Sequence, residues 1–500
     1  MGLKAALSKP FARLAYRKVQ RWANTPLRAQ ERVFQKLLTG GVNTIFGRDH
    51  DFANISNYED FKKAVPIRDY EGLSAYIDKI IEGEKDVLWR GRPIYLCKTS
   101  GTTSGVKYIP ITKESMSNHI DSARNALLCY IAESGNTDFI NGKMIFLQGS
   151  PILDKSGAIP IGRLSGIVAN HVPRYLLKNR MPTYSTNTID DWETKVDAIV
   201  EETANENMTL ISGIPSWVQM YFEKLLEKTG KNTVEQIFPK FSLFVHGGVN
   251  FEPYRSNFLK TIGKKIDTIE TYPASEGFIA FQDSQKEEGL LLVVNSGIFY
   301  EFIPAQQFGE DKQDRISLAD VEIGVNYAII LNTNAGLWGY AIGDTIRFVS
   351  TSPYRILVTG RIKHYISAFG EHVIAEEVEG ALEMAARNHE AKVIEFHVAP
   401  QVQAEEGLPY HEWFIEFATE PDSMDDFSSE LDELMQNKNI YYQDLIKGRV
   451  LQTLKITQIR KDGFIGYMKS KGKLGGQNKV ARLSDDRILA DELAVFRSNS

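Results

Sequence analysis

The chain has 500 residues, 43% of them hydrophobic and 24% charged, and a formal net charge of −6. At ~100–200 residues per domain, that length holds about two to four domains with apolar material for a large core, and the acidic balance excludes wholesale electrostatic binding of nucleic acid. Cys97 and Cys129 are the only two cysteines; they form neither a disulfide framework nor a CxxC metal pattern and suit a reducing cytoplasm.

In chain order, the first segment, MGLKAALSKPFARLAYRKVQRWANTP, is basic and amphipathic. It lacks the apolar stretch and small-residue cleavage site of a secretory signal. A transit peptide and a lipid-surface anchor are the alternatives; a helix packed on the body, with no membrane partner, is the expectation. No apolar run approaches the ~20 residues of a membrane helix. Helical periodicity fills roughly 11–40 and 55–82. From about 94, apolar runs alternate with helical stretches. KMIFLQGS (143–150), MTLISG (208–213) and FSLFVHGG (241–248) read as buried strands ending in small or turn residues. PSWVQMYFEKLLEKTG (215–230) and PYRSNFLKTIG (253–263) read as helices, the first opening with Pro and both closing at Gly. That alternation predicts an α/β fold with a mostly parallel central sheet.

After about 290, LLLVVNSGIFYEFIP, VNYAIILNT and DTIRFVS read as strands joined by tight turns, an antiparallel sheet or a distorted barrel. YRILVTGRIKHYISAFG (354–370) reads as a hairpin. Beyond it, IAEEVEGALEMAARNH and DFSSELDELMQNK read as helices, and AKVIEFHVAP, EWFIEFA and LKITQI as strands. The expectation is a large α/β domain, 1–358, and a small α+β domain, 359–500, divided at Thr359, Gly360 and Arg361.

Four stretches carry candidate chemistry. In LCKTSGTTSGVKYIPIT (96–112), a Gly/Ser/Thr loop joins two extended segments, and Lys107 follows it. Backbone amides and hydroxyls in such a loop converge on an anion. It is not the common NTPase P-loop, which needs G-x-x-x-x-G-K-[ST]. In HGGVNFEP (246–253), Gly247 and Gly248 end a strand where a flat ring could approach the backbone. In TYPASEGF (271–278), Tyr272 could stack on a base and Glu276 could hold Mg²⁺, although a half-buried core role is equally open to the tyrosine. In GYAIGDTIRF (339–348), Asp344 follows a Gly turn, where a carboxylate accepts ribose hydroxyls or simply serves the turn. His246 offers itself as a base or as a buried core ring.

In order and wording, these segments resemble the adenylate-forming superfamily, and within it the acyl acid–amido synthetases of the auxin-responsive Gretchen Hagen 3 family of plants and its bacterial relatives. TSGTTSGVKYIP is similar to the family's first nucleotide loop and GIPSWV (213–218) to its segment near the acyl pocket. TYPASEG, FYEFIP (299–304) and YAIGD (340–344) are similar to its later motifs. FYEFIP and GQNKVAR (476–482) favour this family over the acyl-CoA ligases, which usually carry a G-R-x-D-D hinge where this chain reads Gly360, Arg361, Ile362, Lys363. A bacterial member is the expectation.

The resemblance implies ATP and Mg²⁺, a small-molecule carboxylic acid and an amino acid as substrates, and a cytoplasmic setting with no nucleic acid partner. Ser100, Thr102, Thr103 and Ser104 would form the β/γ-phosphate loop. Gly247, Gly248 and Tyr272 would frame the adenine, and Ala274 would belong to the nucleotide site. Ser275 would lie near the α-phosphate, Glu276 would hold Mg²⁺ and Asp344 the ribose. Lys479 would reach the α-phosphate from a small mobile domain. Arg361 would meet phosphate or shape the hinge, and Lys107 would assist or be only a surface charge. Trp217 and Val218 would lie beside the acyl group, or, for Trp217, pack in the core. One departure from the plant motif is Ala481, where Pro usually precedes Arg482. The competing readings are a CoA ligase making a thioester and a silent relative that keeps the fold for binding alone. The acid, the amine and the oligomeric state are not encoded in any motif.

Overall fold

A computed structural model describes residues 3–100, 106–155, 157–172, 178–189, 191–248, 251–309, 313–362, 365–366, 368, 373–402, 404, 407–447, 450–474, 479–484 and 486–498. It divides into two compact units, Met1–Val249 with Leu259–Val358 and Asn250–Phe258 with Thr359–Ser500.

In the larger unit, the first long helical pattern is two helices, α1 (Leu3–Ala23) and α2 (Pro26–Gly41). The break falls at Asn24 and Thr25 because Pro26 opens the second helix, where its missing N–H costs nothing. The 55–82 pattern likewise divides into Tyr58–Ala64 and Ser74–Ile81. Then follow β1 (Tyr95–Ser100), β2 (Val106–Ile111), α3 (Lys113–Ser134), β3 (Lys143–Phe146), β4 (Ile161–Gly162), α4 (Leu164–Ala169) and β5 (Arg180–Met181). Next are β6 (Met208–Ser212), α5 (Pro215–Thr229), β7 (Leu243–Gly247), β8 (Asp267–Ala274), β9 (Gly277–Phe281) and β10 (Leu290–Leu292). The unit closes with β11 (Ile298–Pro304), β12 (Ile316–Ser317), β13 (Asn326–Thr333), β14 (Tyr340–Thr351) and β15 (Tyr354–Arg361), whose last three residues enter the smaller unit.

One sheet of 12 strands runs β12-β11-β13-β14-β15-β10-β9-β8-β7-β6-β3-β5 among the described residues. Its β5-β3-β6-β7-β8 half is parallel. Strand β6 is buried along four of its five residues, as a strand covered on both faces must be. Helix α5 begins at Pro215 and is closed by Gly230 at φ +66°, a left-handed cap that glycine adopts without strain. From β8 onward the pairing is antiparallel. β8 and β14 stand four strands apart, roughly 19 Å in a flat sheet. Yet the Tyr272 hydroxyl on β8 donates to Asp344 Oδ2 on β14 at 2.5 Å. The antiparallel half therefore curls around its own core, with Ile279, Leu290, Tyr300, Phe348 and Ile356 inside. The expected antiparallel sheet and distorted barrel are one open, curled sheet.

α1 buries Ala12, Val19 and Ala23 in the core that holds Ala126, Cys129 and Tyr130 of α3. Its other side leaves Leu7, Phe11 and Leu14 at 65%, 54% and 52% exposure. The helix is packed on the body as expected, on one face.

The smaller unit contains β16 (Tyr365–Ile366), β17 (Val373–Ile374), α6 (Ala375–Asn388), β18 (Lys392–Gln401), β19 (Tyr410–Thr419), α7 (Met424–Lys438) and β20 (Lys455–Ile459). β18, β19 and β20 form a sheet, antiparallel then parallel. Val378 and Leu382 of α6 and Phe427 and Leu431 of α7 share one core with Phe396 and Trp413. Among the described residues of 354–370, β15 does not pair with the segment that follows it, contrary to the expected hairpin. β15 lies between β14 and β10, turning out of β14 at Ser352 and Pro353, and β16 pairs with β17 instead.

Candidate active site

β1 and β2 pair antiparallel with Ser100 opposite Val106 and Thr99 opposite Lys107. In the sequence the Gly/Ser/Thr stretch falls between these two paired strands. Thr102, Thr103 and Ser104 lie outside the described residues, and Ser100 ends β1. Lys107 stands over the Tyr70 ring, its Nζ 5.7 Å from the centroid. The Tyr70 hydroxyl accepts the Tyr108 backbone N–H at 3.0 Å. Tyr70 therefore steadies both the second arm of the hairpin and its lysine.

Three residues before Ser100, Cys97 faces the turn between β8 and β9. Burial pushes its thiol up to about 12, with the Glu276 carboxylate adding to the effect. The protonated thiol donates to Ser275 Oγ at 3.1 Å. The TYPASEG turn is in this way tied to the base of the hairpin.

The same turn is tied to β14 by two matched bonds. Tyr272 donates to Asp344 Oδ2 at 2.5 Å, and Tyr340 donates to Glu276 Oε1 at 3.4 Å. Each element supplies one tyrosine and, four residues later, one carboxylate; each tyrosine serves the other's carboxylate. Tyr340 is buried, and burial together with Glu276 raises its pKa, so it stays a donor. Tyr272 is 9% exposed and its ring belongs to the core of the curled sheet. The core role thus accounts for its ring, while its hydroxyl holds Asp344. Glu276 is itself 9% exposed, and Ser275, Ala274 and Asp344 are half-buried.

Gly247 pairs with Thr271, and a Cβ added there would come within 2.2 Å of the Thr271 carbonyl oxygen. Close strand approach gives this glycine a structural reason. Gly248 is exposed with φ +85°, a left-handed conformation that favours glycine. His246 is buried with its ring stacked on Phe244, 5.1 Å between centroids, which is the core alternative for that residue. Trp217 and Val218 lie in the first turn of α5 at 6% and 0% exposure, with the Trp217 ring 4.7 Å from that of Trp192. Both are buried, and the Trp217 ring contact matches the core alternative for that residue.

In the smaller unit, Arg361 is exposed at the end of β15. Lys479 is exposed, and the residues after it are pinned to β18. The Val398 N–H donates to the Arg482 carbonyl at 2.8 Å and the Ser484 N–H to the Val398 carbonyl at 3.0 Å. His397 Nδ1 meets the Ala481 carbonyl at 2.7 Å. Ala481 thus takes part in this anchoring through its backbone.

Among the described residues no group of three or more His, Cys, Asp or Glu side chains forms a metal cage. A single buried carboxylate such as Glu276, which also accepts from Tyr340, fits the other mode, in which Mg²⁺ takes one or two protein carboxylates and completes its shell with substrate phosphates and water. The sequence did not single out Cys97, Tyr340 and Tyr70. The signal for Tyr340 was present in the matched spacing of Tyr272 to Glu276 and Tyr340 to Asp344.

Comparison with known proteins identifies three family domains in order along the chain. The GH3 family N-terminal domain matches residues 15–183 and 150–266, the GH3 family central domain 291–361 and the GH3 family C-terminal domain 376–488. The chain is 23% identical over 435 residues to indole-3-acetic acid-amido synthetase GH3.15 of Arabidopsis thaliana, covering 68% of each chain. It is 20% identical over 384 residues to jasmonoyl-L-amino acid synthetase JAR4 of Nicotiana attenuata, covering 64% of this chain and 66% of that one. A solved structure of GH3.15 acyl acid amido synthetase superimposes with a TM-score of 0.80 over 96% of both chains at 15% identity. With its N-terminal, central and C-terminal models together spanning most of the sequence, the chain belongs to the GH3 family.

Proposed function

We propose that the protein is an acyl acid-amido synthetase that activates a carboxylic acid with ATP and passes the acyl group to the amine of an amino acid. The observation that carries this reading is the clasp of Tyr272, Asp344, Tyr340 and Glu276 beside Ser275, which Cys97 of β1 holds. It is supported by the family membership and by relatives named for amide synthesis.

In the first step the substrate carboxylate attacks the α-phosphorus of ATP, the bond to the β-phosphate oxygen breaks, and pyrophosphate leaves. In the second the amine attacks the acyl carbon, the bond to the AMP oxygen breaks, and the amine proton passes to water or phosphate. Both steps load negative charge onto phosphate oxygens, so positioning and fixed donors do most of the work. The hairpin from Ser100 through Ser104 cradles the β- and γ-phosphates. Asp344, oriented by Tyr272, accepts the ribose hydroxyls; Ser275, held by Cys97, lies by the α-phosphate. Glu276 would hold Mg²⁺, which when bound would supply neutralisation of the charge on the pyrophosphate leaving group. Lys479 brings a point charge on a long stem to the α-phosphate. The smaller unit, 359–500, turns about the segment near 360 between the two steps. Two buried free thiols support a cytoplasmic setting for this chemistry.

The test is AMP release by the purified protein with ATP, Mg²⁺ and a panel of aryl, indolyl and aliphatic acids, with mixed amino acids or with CoA. Amide detected by mass spectrometry, with AMP only when acid and amino acid are both present, is the expected result. AMP with CoA and a thioester product would overturn the amide reading.

A further inference from the structure

The first helix carries a feature that acyl transfer does not use. α1 contains Lys4, Lys9, Arg13, Arg17, Lys18 and Arg21, and the first acidic residue of the chain is Glu31. The chain as a whole is acidic at −6, so this helix is a local reversal of sign. At 100° per residue, Leu7, Phe11, Leu14 and Lys18 fall within an arc of about 60°, with Arg17 and Arg21 on its flank. The buried Ala12, Val19 and Ala23 lie roughly 130° away around the same helix. One face is therefore committed to the α3 core. The other presents three large apolar side chains, each more than half exposed, beside a cluster of cations. Water penalises such a face.

We infer that the outer face of α1 docks the protein on an anionic lipid bilayer, with Leu7, Phe11 and Leu14 entering the headgroup boundary and Arg17, Lys18 and Arg21 meeting lipid phosphates. Charge decides among occupants. A helix with six cations and no acid repels its own copy, which disfavours symmetric pairing through this face. It is attracted to an acidic membrane surface, where each Lys or Arg adds to binding and the apolar side chains add partition energy. Shape agrees: a convex helix flank with protruding Leu and Phe suits a fluid surface that closes around it. α1 is not required to unfold or detach, because its body-facing residues are already buried. The expectation of no membrane partner is thereby revised for this face alone. Among the described residues no helix is long and apolar enough to cross a membrane, so the mode is surface attachment.

The experiment is vesicle flotation of the full chain with phosphatidylcholine alone and with phosphatidylcholine containing phosphatidylglycerol. The expected result is flotation with the anionic vesicles only, lost when salt rises from ~0.05 M to ~0.5 M. Phe11→Ser with Leu14→Ser, and separately Arg17→Glu with Lys18→Glu and Arg21→Glu, should each reduce the bound fraction about ten-fold or more. All five side chains are exposed, so thermal melting and AMP release should match the parent. Failure to float, equal flotation with both vesicle types, or binding that survives both variants would overturn the inference. So would sedimentation velocity showing a dimer that Phe11→Ser with Leu14→Ser abolishes.

Discussion

Two tyrosine hydroxyls set the geometry of the two carboxylates that matter most to the proposed chemistry. Their bonds are unequal, 2.5 Å from Tyr272 to Asp344 and 3.4 Å from Tyr340 to Glu276, and the consequences should be unequal too. Tyr272→Phe removes a short bond to a charged acceptor, worth about 2 kcal/mol, and should raise the KM for ATP about 30-fold. Tyr340→Phe removes a longer one, worth about 1 kcal/mol. It should raise the Mg²⁺ concentration for half-maximal AMP release about five-fold while leaving the KM for ATP at saturating Mg²⁺ nearly unchanged. Steady-state titrations of ATP and Mg²⁺ on the two variants check both. A second residue-scale expectation concerns pH. His119 on α3 is 4% exposed, and burial lowers its pKa from 6.5 to about 4. The unfolded chain therefore binds the proton first as pH falls. The stability it contributes is complete above about pH 6.5 and is lost between there and about pH 4, up to about 3 kcal/mol. Urea midpoints measured across that window should fall with pH, and His119→Leu should flatten the slope.

At the scale of elements, the curled half of the sheet is stitched by a buried ion pair. Arg315, just before β12, donates to both carboxylate oxygens of Glu301 on β11, at 2.6 and 2.5 Å, and to the Val65 carbonyl at 2.5 Å. Asn332 on β13 donates to the same carboxylate at 2.7 Å. Arg315→Ala leaves a buried charge without its guanidinium and should destabilise the larger unit by about 3–5 kcal/mol, read from its urea midpoint. Glu301 is the acidic residue of FYEFIP, so that stretch has a structural reason to carry a carboxylate. Elements defined by local chemistry were legible in the sequence: β6 and β7 by apolar runs, α5 by Pro215 and Gly230. Elements defined by distant partners were not. β15 reads as the first arm of a hairpin closed by the apolar residues near 366, but β14 and β10 claim it first. Within the site, Tyr272, Ser275, Glu276 and Asp344 could be named from motifs, and the structure brings them together. Cys97 could not, because its partner lies 178 residues away along the chain; Tyr340 was legible only through its spacing to Asp344, which matches that of Tyr272 to Glu276.

For the whole molecule, the proposed cycle depends on a cation carried by the smaller unit. On that reading Lys479→Ala should lower the rate of pyrophosphate release about 100-fold, the scale of losing one fixed charge at a developing anion. A variant that forms adenylate at the parent rate would remove Lys479 from the first step. Melting of the Lys479→Ala variant, measured beside its rate, separates a chemical loss from a structural one.

The contact between Cys97 and Ser275 has a kinetic side. Only a thiolate attacks an alkylating reagent, and burial holds the thiols of Cys97 and Cys129 well above their ordinary pKa. Neither sulfur reacts while the fold is closed. Marking Cys97 requires the first hairpin to part from the β8–β9 turn, and marking Cys129 requires α3 to lift from its core. With reagent in excess, each marking rate becomes the opening rate of its own neighbourhood. The chain carries two internal clocks, one timing the breathing of the proposed nucleotide site and one that of the body, both readable by mass from the alkylation itself.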